Sequence, residues 1–180
     1  DLEMVPYGLD IFEFFSKSKQ RIYYESFQLP SYNFLEHIKQ KTNKRCHIAI
    51  TAISGNEKNR REEGKYFTND QLVNILKSYC ADICFDVYFT LNVQGETLDD
   101  FKDTIYVSNK IKNLENLSIF CMPYFQGEIG SIRWVSSQQT VDTSVELLLN
   151  YLSDDSKTQY FLKTDINNIK KMLLWNQMFK

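Results

Sequence analysis

Glycine and proline are scarce in this sequence, six and three of 180 residues, which excludes collagen-like repeats, Pro-rich arms and Gly-Ser linkers. No apolar run reaches the roughly 20 residues of a membrane-spanning helix, and the amino end shows no basic-then-apolar signal pattern. An excess of one charge is also missing. Twenty-one basic and 23 acidic residues leave a formal net charge of −2, so no field draws phosphate backbones to this segment. Nucleic acid and membrane are therefore not expected partners. Two histidines occur, without the cysteine or carboxylate spacing of a metal site. Gly-x-Gly-x-x-Gly and Walker loops are absent, and so is any local Ser-His-Asp or Cys-His signature.

What is present suits a globular domain with a real core: 43% hydrophobic and 14% aromatic residues. Cys46, Cys80, Cys84 and Cys121 sit among apolar neighbours. They read as reduced, buried thiols of a cytoplasmic protein, in contrast to a secreted disulfide framework. The chain opens on Asp1 with no initiator methionine and reads as a piece of something longer.

Along the chain, strand-like and helix-like segments alternate. A short helix in "YGLDIFEFFSKS" places Leu9, Phe12 and Phe15 on one face. "RIYYESF" is a strand, and Pro30-Ser31 opens a helix with Phe34, Leu35 and Ile38 as its stripe. "RCHIAITAIS" is a second strand, and the "NRREEGK" that follows reads as a solvated helix face. Thr68 and Gln71 predict a capping box for the helix bearing Leu72, Leu76 and Tyr79. A third strand runs from Ile83 to about Asn92. Thr97 caps the next helix, with Asp99 and Asp100 in its first turn and Leu98, Phe101, Ile105 and Ser108 along one face. "NLSIFCMPYF" is the fourth strand. An irregular connection, a helix in "VDTSVELLLNYL", a linker "SDDSK" and a last amphipathic helix begun by Asp165 complete the chain. Strands separated by helices imply an α/β fold with a parallel sheet.

Splitting the strands by parity locates the polar residues. In strand three Ile83, Phe85, Val87, Phe89 and Leu91 face one way, while Cys84, Asp86, Tyr88, Thr90 and Asn92 face the other. Glu25 in strand one and His47, Ala49 and Thr51 in strand two repeat the pattern. A doubly covered open sheet is apolar on both faces. A barrel strand packs its outer face under helices and lines a lumen with the other. Converging polar residues predict a pocket near the carboxyl ends of the strands, with a partly solvated sheet face as the alternative. Asp86 with Glu25 is a candidate proton-transfer pair. His47 is read as a core histidine, His37 as a surface or boundary residue, and Trp134 and Trp175 as residues for packing or docking on the missing part of the polypeptide.

Two motifs carry a family resemblance. "AISGNEKNRREEGKYFTNDQLVNIL" followed by "DVYFTLNVQGETLDDFKDTI" resembles the later part of the radical S-adenosylmethionine (SAM) barrel. Enzymes with a cobalamin-binding domain ahead of the barrel, and the methylthiotransferases, are the most similar. Ser54-Gly55, Lys65, Phe67-Thr68, Gly95-Glu96-Thr97, Asp100-Phe101 and Thr104 fall in register, over roughly residues 20 to 125.

The resemblance implies half of a TIM-like barrel in residues 1–130 and a helical extension in 131–180. It implies SAM contacts from Glu25, Ser54, Lys65, Thr90, Asn92, Gly95 and Glu96. In the parent protein it implies a [4Fe–4S] cluster, with cobalamin as a further cofactor of the similar enzymes. The missing amino-terminal half of the same polypeptide would be the chief partner, with self-association through an open sheet edge as another. Asn92 and Gln94 depart from the family's Gly and Pro, and Lys65 stands where Arg is frequent. Cys80-x-x-x-Cys84 lacks the third cysteine of the cluster motif, and its residues lie on a helix end and a strand. The cluster ligands would therefore precede Asp1. The alternative reading is a self-contained α/β binding or scaffold domain.

Overall fold

The computed structural model describes residues 1–122, apart from 19, 43, 92 and 94, and residues 166–178. A 3-10 turn, Leu2–Met4, leads into α1, Gly8–Ser16. Then follow β1 (Ile22–Ser26), α2 (Tyr32–Thr42), β2 (Cys46–Ile53), α3 (Glu57–Glu62) and α4 (Asn69–Tyr79). Next come β3 (Cys84–Thr90), α5 (Leu98–Ile111) and β4 (Leu117–Met122), and α6 (Ile166–Met178) is the last described element. The expected linker, the helix at 141–152 and Trp134 lie outside the described residues.

Helix starts follow the side chains at their mouths. Thr68 Oγ1 accepts the Gln71 N–H at 3.1 Å, and Gln71 Oε1 accepts the Thr68 N–H at 2.8 Å. On α5, Thr97 and Asp100 form the same reciprocal box, at 3.1 and 2.9 Å. The Thr97 hydroxyl, donating to Asp100 Oδ2 at 2.7 Å, and the Thr97 N–H together hold the Asp100 carboxyl below its ordinary range. Each cap contributes about 1 kcal/mol. Ser31 Oγ accepts the Phe34 N–H ahead of α2. At the end of α1, Arg45 donates to the carbonyls of Ser16 and Ser18, which the helix itself leaves unpaired.

The four strands are parallel and ordered β1-β2-β3-β4. With a helix between each neighbouring pair, crossovers of one hand return every helix to the same side. The composition of the core agrees with this placement. Ile48, Ile50, Phe85, Val87, Phe89 and Cys121 of the sheet join Leu35 and Ile38 of α2, Leu72 and Leu76 of α4, Phe101 and Ile111 of α5, and Met172 and Trp175 of α6. The β2 and β3 residues among these have the parity read as apolar.

Two stripes, and the place of Trp175, differ from expectation. On α1, Phe12 alone is fully buried among the three, edge-on to Tyr24 and Phe34, while Leu9 and Phe15 are exposed. This short helix meets the core over a single turn. On α5 the buried line is Phe101, Thr104, Val107, Ser108 and Ile111, with Leu98 and Ile105 at its margin, and Thr104 faces Gly55. Trp175 is buried and packs 6.2 Å from Phe89, inside this chain's own core. Among the described residues no helix is long and apolar enough to cross a membrane.

Candidate functional site

The polar parity forms rows across the sheet. From amino to carboxyl ends the register aligns Tyr23, His47 and Cys84, then Glu25, Ala49, Asp86 and Ser118, then Thr51, Tyr88 and Phe120, then Thr90 and Met122. Thr51, Asp86, Tyr88 and Thr90 are buried, and Tyr88 stacks on Phe120 at 4.9 Å. Thr51 donates to Glu25 Oε1 at 2.8 Å across the β1–β2 ladder. Glu25 itself is exposed, with acceptor capacity left over.

Two loops meet at the carboxyl ends of β2 and β3. The β2 register slips between Thr51 and Ile53, and Ile53 is left-handed at φ 64°. A β-branched residue in that region is strained. The bulge turns Ser54 inward, where it is fully buried and donates through Oγ to Glu96 Oε1. Oε2 of Glu96 binds Lys171 Nζ at 2.8 Å, and the Glu96 carbonyl accepts from the same ammonium at 3.0 Å. Both side chains of this ion pair are essentially inaccessible to solvent, 1% and 0% exposed. One cation from α6 thus ties together two loops that lie 42 residues apart.

Gly55 is forced by proximity: a Cβ there would lie 2.3 Å from the Thr104 Cα. Its N–H donates to Thr104 Oγ1 at 2.7 Å. The Gly55 carbonyl accepts from Asn69 Nδ2, while Asn69 Oδ1 accepts from Arg60. Arg60 is fully buried, donates to the Ser54 carbonyl at 3.1 Å and lies over the Phe67 ring. Burial pulls its guanidinium down to about 10. The solvated-face reading of "NRREEGK" therefore fails at Asn59, Arg60 and Lys65, all buried, and the charge of Arg60 locks the Ser54-Gly55 corner; Arg61, Glu62 and Glu63 do face solvent.

In the second corner Gly95 takes φ 77° with open space around it, and the Glu96 N–H closes a turn on the Val93 carbonyl. The three residues of Gly-Glu-Thr divide the corner between them. Gly95 turns the chain, Glu96 anchors α6 and the β2 loop, and Thr97 starts α5. Lys65 is buried, donates to the Phe27 carbonyl at 2.6 Å and lies over the Phe27 ring. Burial lowers its ammonium to about 8, opposed by the nearby Glu25 charge. Asn92 and Gln94 lie outside the described residues.

Of the residues singled out in the sequence, the structure brings Ser54 to Glu96 and Glu25 within electrostatic reach of Lys65. Thr90 stands in the last row of the polar face. Sequence reasoning missed the parts played by Lys171, Thr51, Arg60, Asn69 and Thr104. Lys171 had one local signal, a charge beside Met172 and one turn before Trp175 on an apolar stripe. No family model matches the chain, and no curated protein or solved structure does.

Proposed function

We propose that this chain is the carboxyl-terminal part of a radical SAM iron–sulfur oxidoreductase, half of a TIM-like barrel that supplies walls for SAM and substrate. The observation that carries the reading is the topology. Four parallel strands lie in sequence order, with helices packed on one face and polar side chains rowed on the other, as in one sector of a barrel. A left-handed Gly95 directly before a capped helix suits the Gly-Glu-Thr corner of that family.

SAM, when bound, supplies the radical on reductive cleavage. In this chain the exposed Glu25 carboxylate would accept ribose hydroxyls, and Lys65 would pair with the methionyl carboxylate. Ser54 and Glu96 act behind that wall, since each is occupied by the other and Glu96 also by Lys171. A [4Fe–4S] cluster does not fit the cysteines here. Cys46, Cys84 and Cys121 lie on three different strands and Cys80 caps the end of α4, so they do not present three thiolates on one loop.

Sequencing the encoding transcript upstream of Asp1 tests the proposal. The expected result is a Cys-x-x-x-Cys-x-x-Cys about a hundred residues earlier, half a barrel away. A start codon immediately upstream, with no such triad, would overturn it. The isolated chain, reconstituted with iron and sulfide, is expected to show no cluster absorbance. The closure of Ser54, Glu96 and Lys171 on one another favours a second reading, a self-contained, non-catalytic α/β binding or scaffold domain. Such a domain sediments as a monomer, whereas half a barrel pairs through its sheet edges.

A further inference from the structure

Lys65, the cation assigned above to a methionyl carboxylate, is covered in this structure. Its ammonium donates to the Phe27 carbonyl at 2.6 Å and lies 4.6 Å from the centre of the Phe27 ring. Lys65 is buried, whereas Phe27 is 57% exposed. Phe27 thus forms an outer wall over the ammonium.

Phe27 belongs to the connection 27–31 between β1 and α2, and two carboxylates hold that connection by its backbone. Asp1 Oδ1 accepts the Phe27 N–H at 2.6 Å, and Asp1 Oδ2 accepts the Gln28 N–H at 2.9 Å. Glu3 Oε2 accepts the Ser31 N–H at 2.9 Å. Ionised acceptors on backbone N–H groups belong to the stronger class of hydrogen bond. Both carboxylates sit on one short strap. Its turn is closed by the Met4 N–H on the Asp1 carbonyl and the Val5 N–H on the Leu2 carbonyl. Leu2 packs against the core, and a Cβ on Gly8 would run into the Leu2 carbonyl. The strap lies where only a glycine leaves room for it.

A separate tie holds the connection through the Gln28 side chain. Gln28 Nε2 donates to the Gly64 carbonyl at 2.7 Å, and Gln28 Oε1 accepts the Tyr66 N–H at 3.3 Å. Gln28 therefore stays anchored without the strap. Phe27, held to the strap by its own N–H, is the residue that release sets free.

We propose that residues 1–5 are an autoinhibitory latch, which keeps Phe27 closed over Lys65 and opens to admit a ligand carboxylate. When closed, the ammonium is occupied by the Phe27 carbonyl. When open, Phe27 swings outward and the carboxylate replaces that carbonyl on Lys65. That the ligand is SAM rests on the reading above; the latch rests on the contacts of Asp1, Glu3 and Phe27.

Acetylation by an N-hydroxysuccinimide ester, read lysine by lysine by peptide mass spectrometry, tests the latch on the whole chain. In the wild type Lys65 and Lys171, both buried, are expected to label slowly. The double variant Asp1→Asn, Glu3→Gln removes both charged acceptors. Gly8→Ala expels the strap without touching the connection. Each is expected to speed Lys65 labelling about tenfold or more while Lys171 stays protected. Acetate, substituted for chloride at equal ionic strength, should slow Lys65 labelling in the opened variants. Lys65 that stays protected in both variants, opens only together with Lys171, or ignores acetate once open, overturns the proposal. The SAM reading stands or falls separately, on the upstream sequence.

Discussion

The corners after β2 and β3 both use a glycine, for opposite reasons. Gly55 has no room: the backbone of α5 lies where its Cβ would be. Gly95 has ample room and an unusual conformation, φ 77°. The β2 corner places its strained residue at Ile53, one position before Ser54, and its packing requirement at Gly55. The β3 corner needs only the turn, and a threonine cap follows. A glycine in sequence therefore marks either a close approach or a left-handed turn, and the neighbouring helix decides which. Both corners depend on the same buried cation, Lys171.

The comparison can be broken most sharply at that shared cation. Lys171→Met leaves Glu96 charged, buried and without its partner, and should cost about 3–5 kcal/mol in urea unfolding. The double variant with Glu96→Gln should regain much of the loss; if it is as unstable as the single variant, the pair is not what holds the corners. Gly55→Ala comes next, at about 3 kcal/mol, since the clash is with backbone and no rotamer relieves it. Gly95→Ala should cost about 1–2 kcal/mol, the penalty of a left-handed residue alone. Asparagine should be milder than alanine at Gly95 and no better at Gly55, and equal responses at the two sites would erase the distinction.

The smallest effect concerns Lys65. Its folded value, about 8, lies below the ordinary 10.5, so the unfolded chain binds more protons between those pH values. Stability should therefore rise with pH through that window, and Lys65→Met should remove the rise. Paired urea titrations at pH 8 and pH 10 check this.

The two faces of the sheet differ in how far the sequence reveals them. The helix-covered face is legible because burial under helices selects apolar residues with period two in the strands. Ile48, Ile50, Phe85 and Val87 all fall in the core on the parity expected of them. On the polar face, parity places Glu25, Thr51, Asp86 and Tyr88 correctly but cannot pair them. The partners depend on register between strands, as with His47 and Asp86, whose contact joins β2 to β3 across the ladder. Arg60 misleads because the three residues that follow it are solvated, while its own side chain turns under the Ser54 corner.

By itself, the sequence determined the order of strands and helices, the caps at Thr68 and Thr97, the buried parity of the sheet and the turn at Gly95. Each depends on residues a few positions apart, where backbone geometry leaves few choices. Only the tertiary structure decided that Glu96 meets Lys171 and Ser54, that Gly55 lies against Thr104, and that His47 meets Asp86. The contacts at the two corners join residues 42 to 75 positions apart, and a buried charge or missing Cβ has meaning only once another element has packed against it.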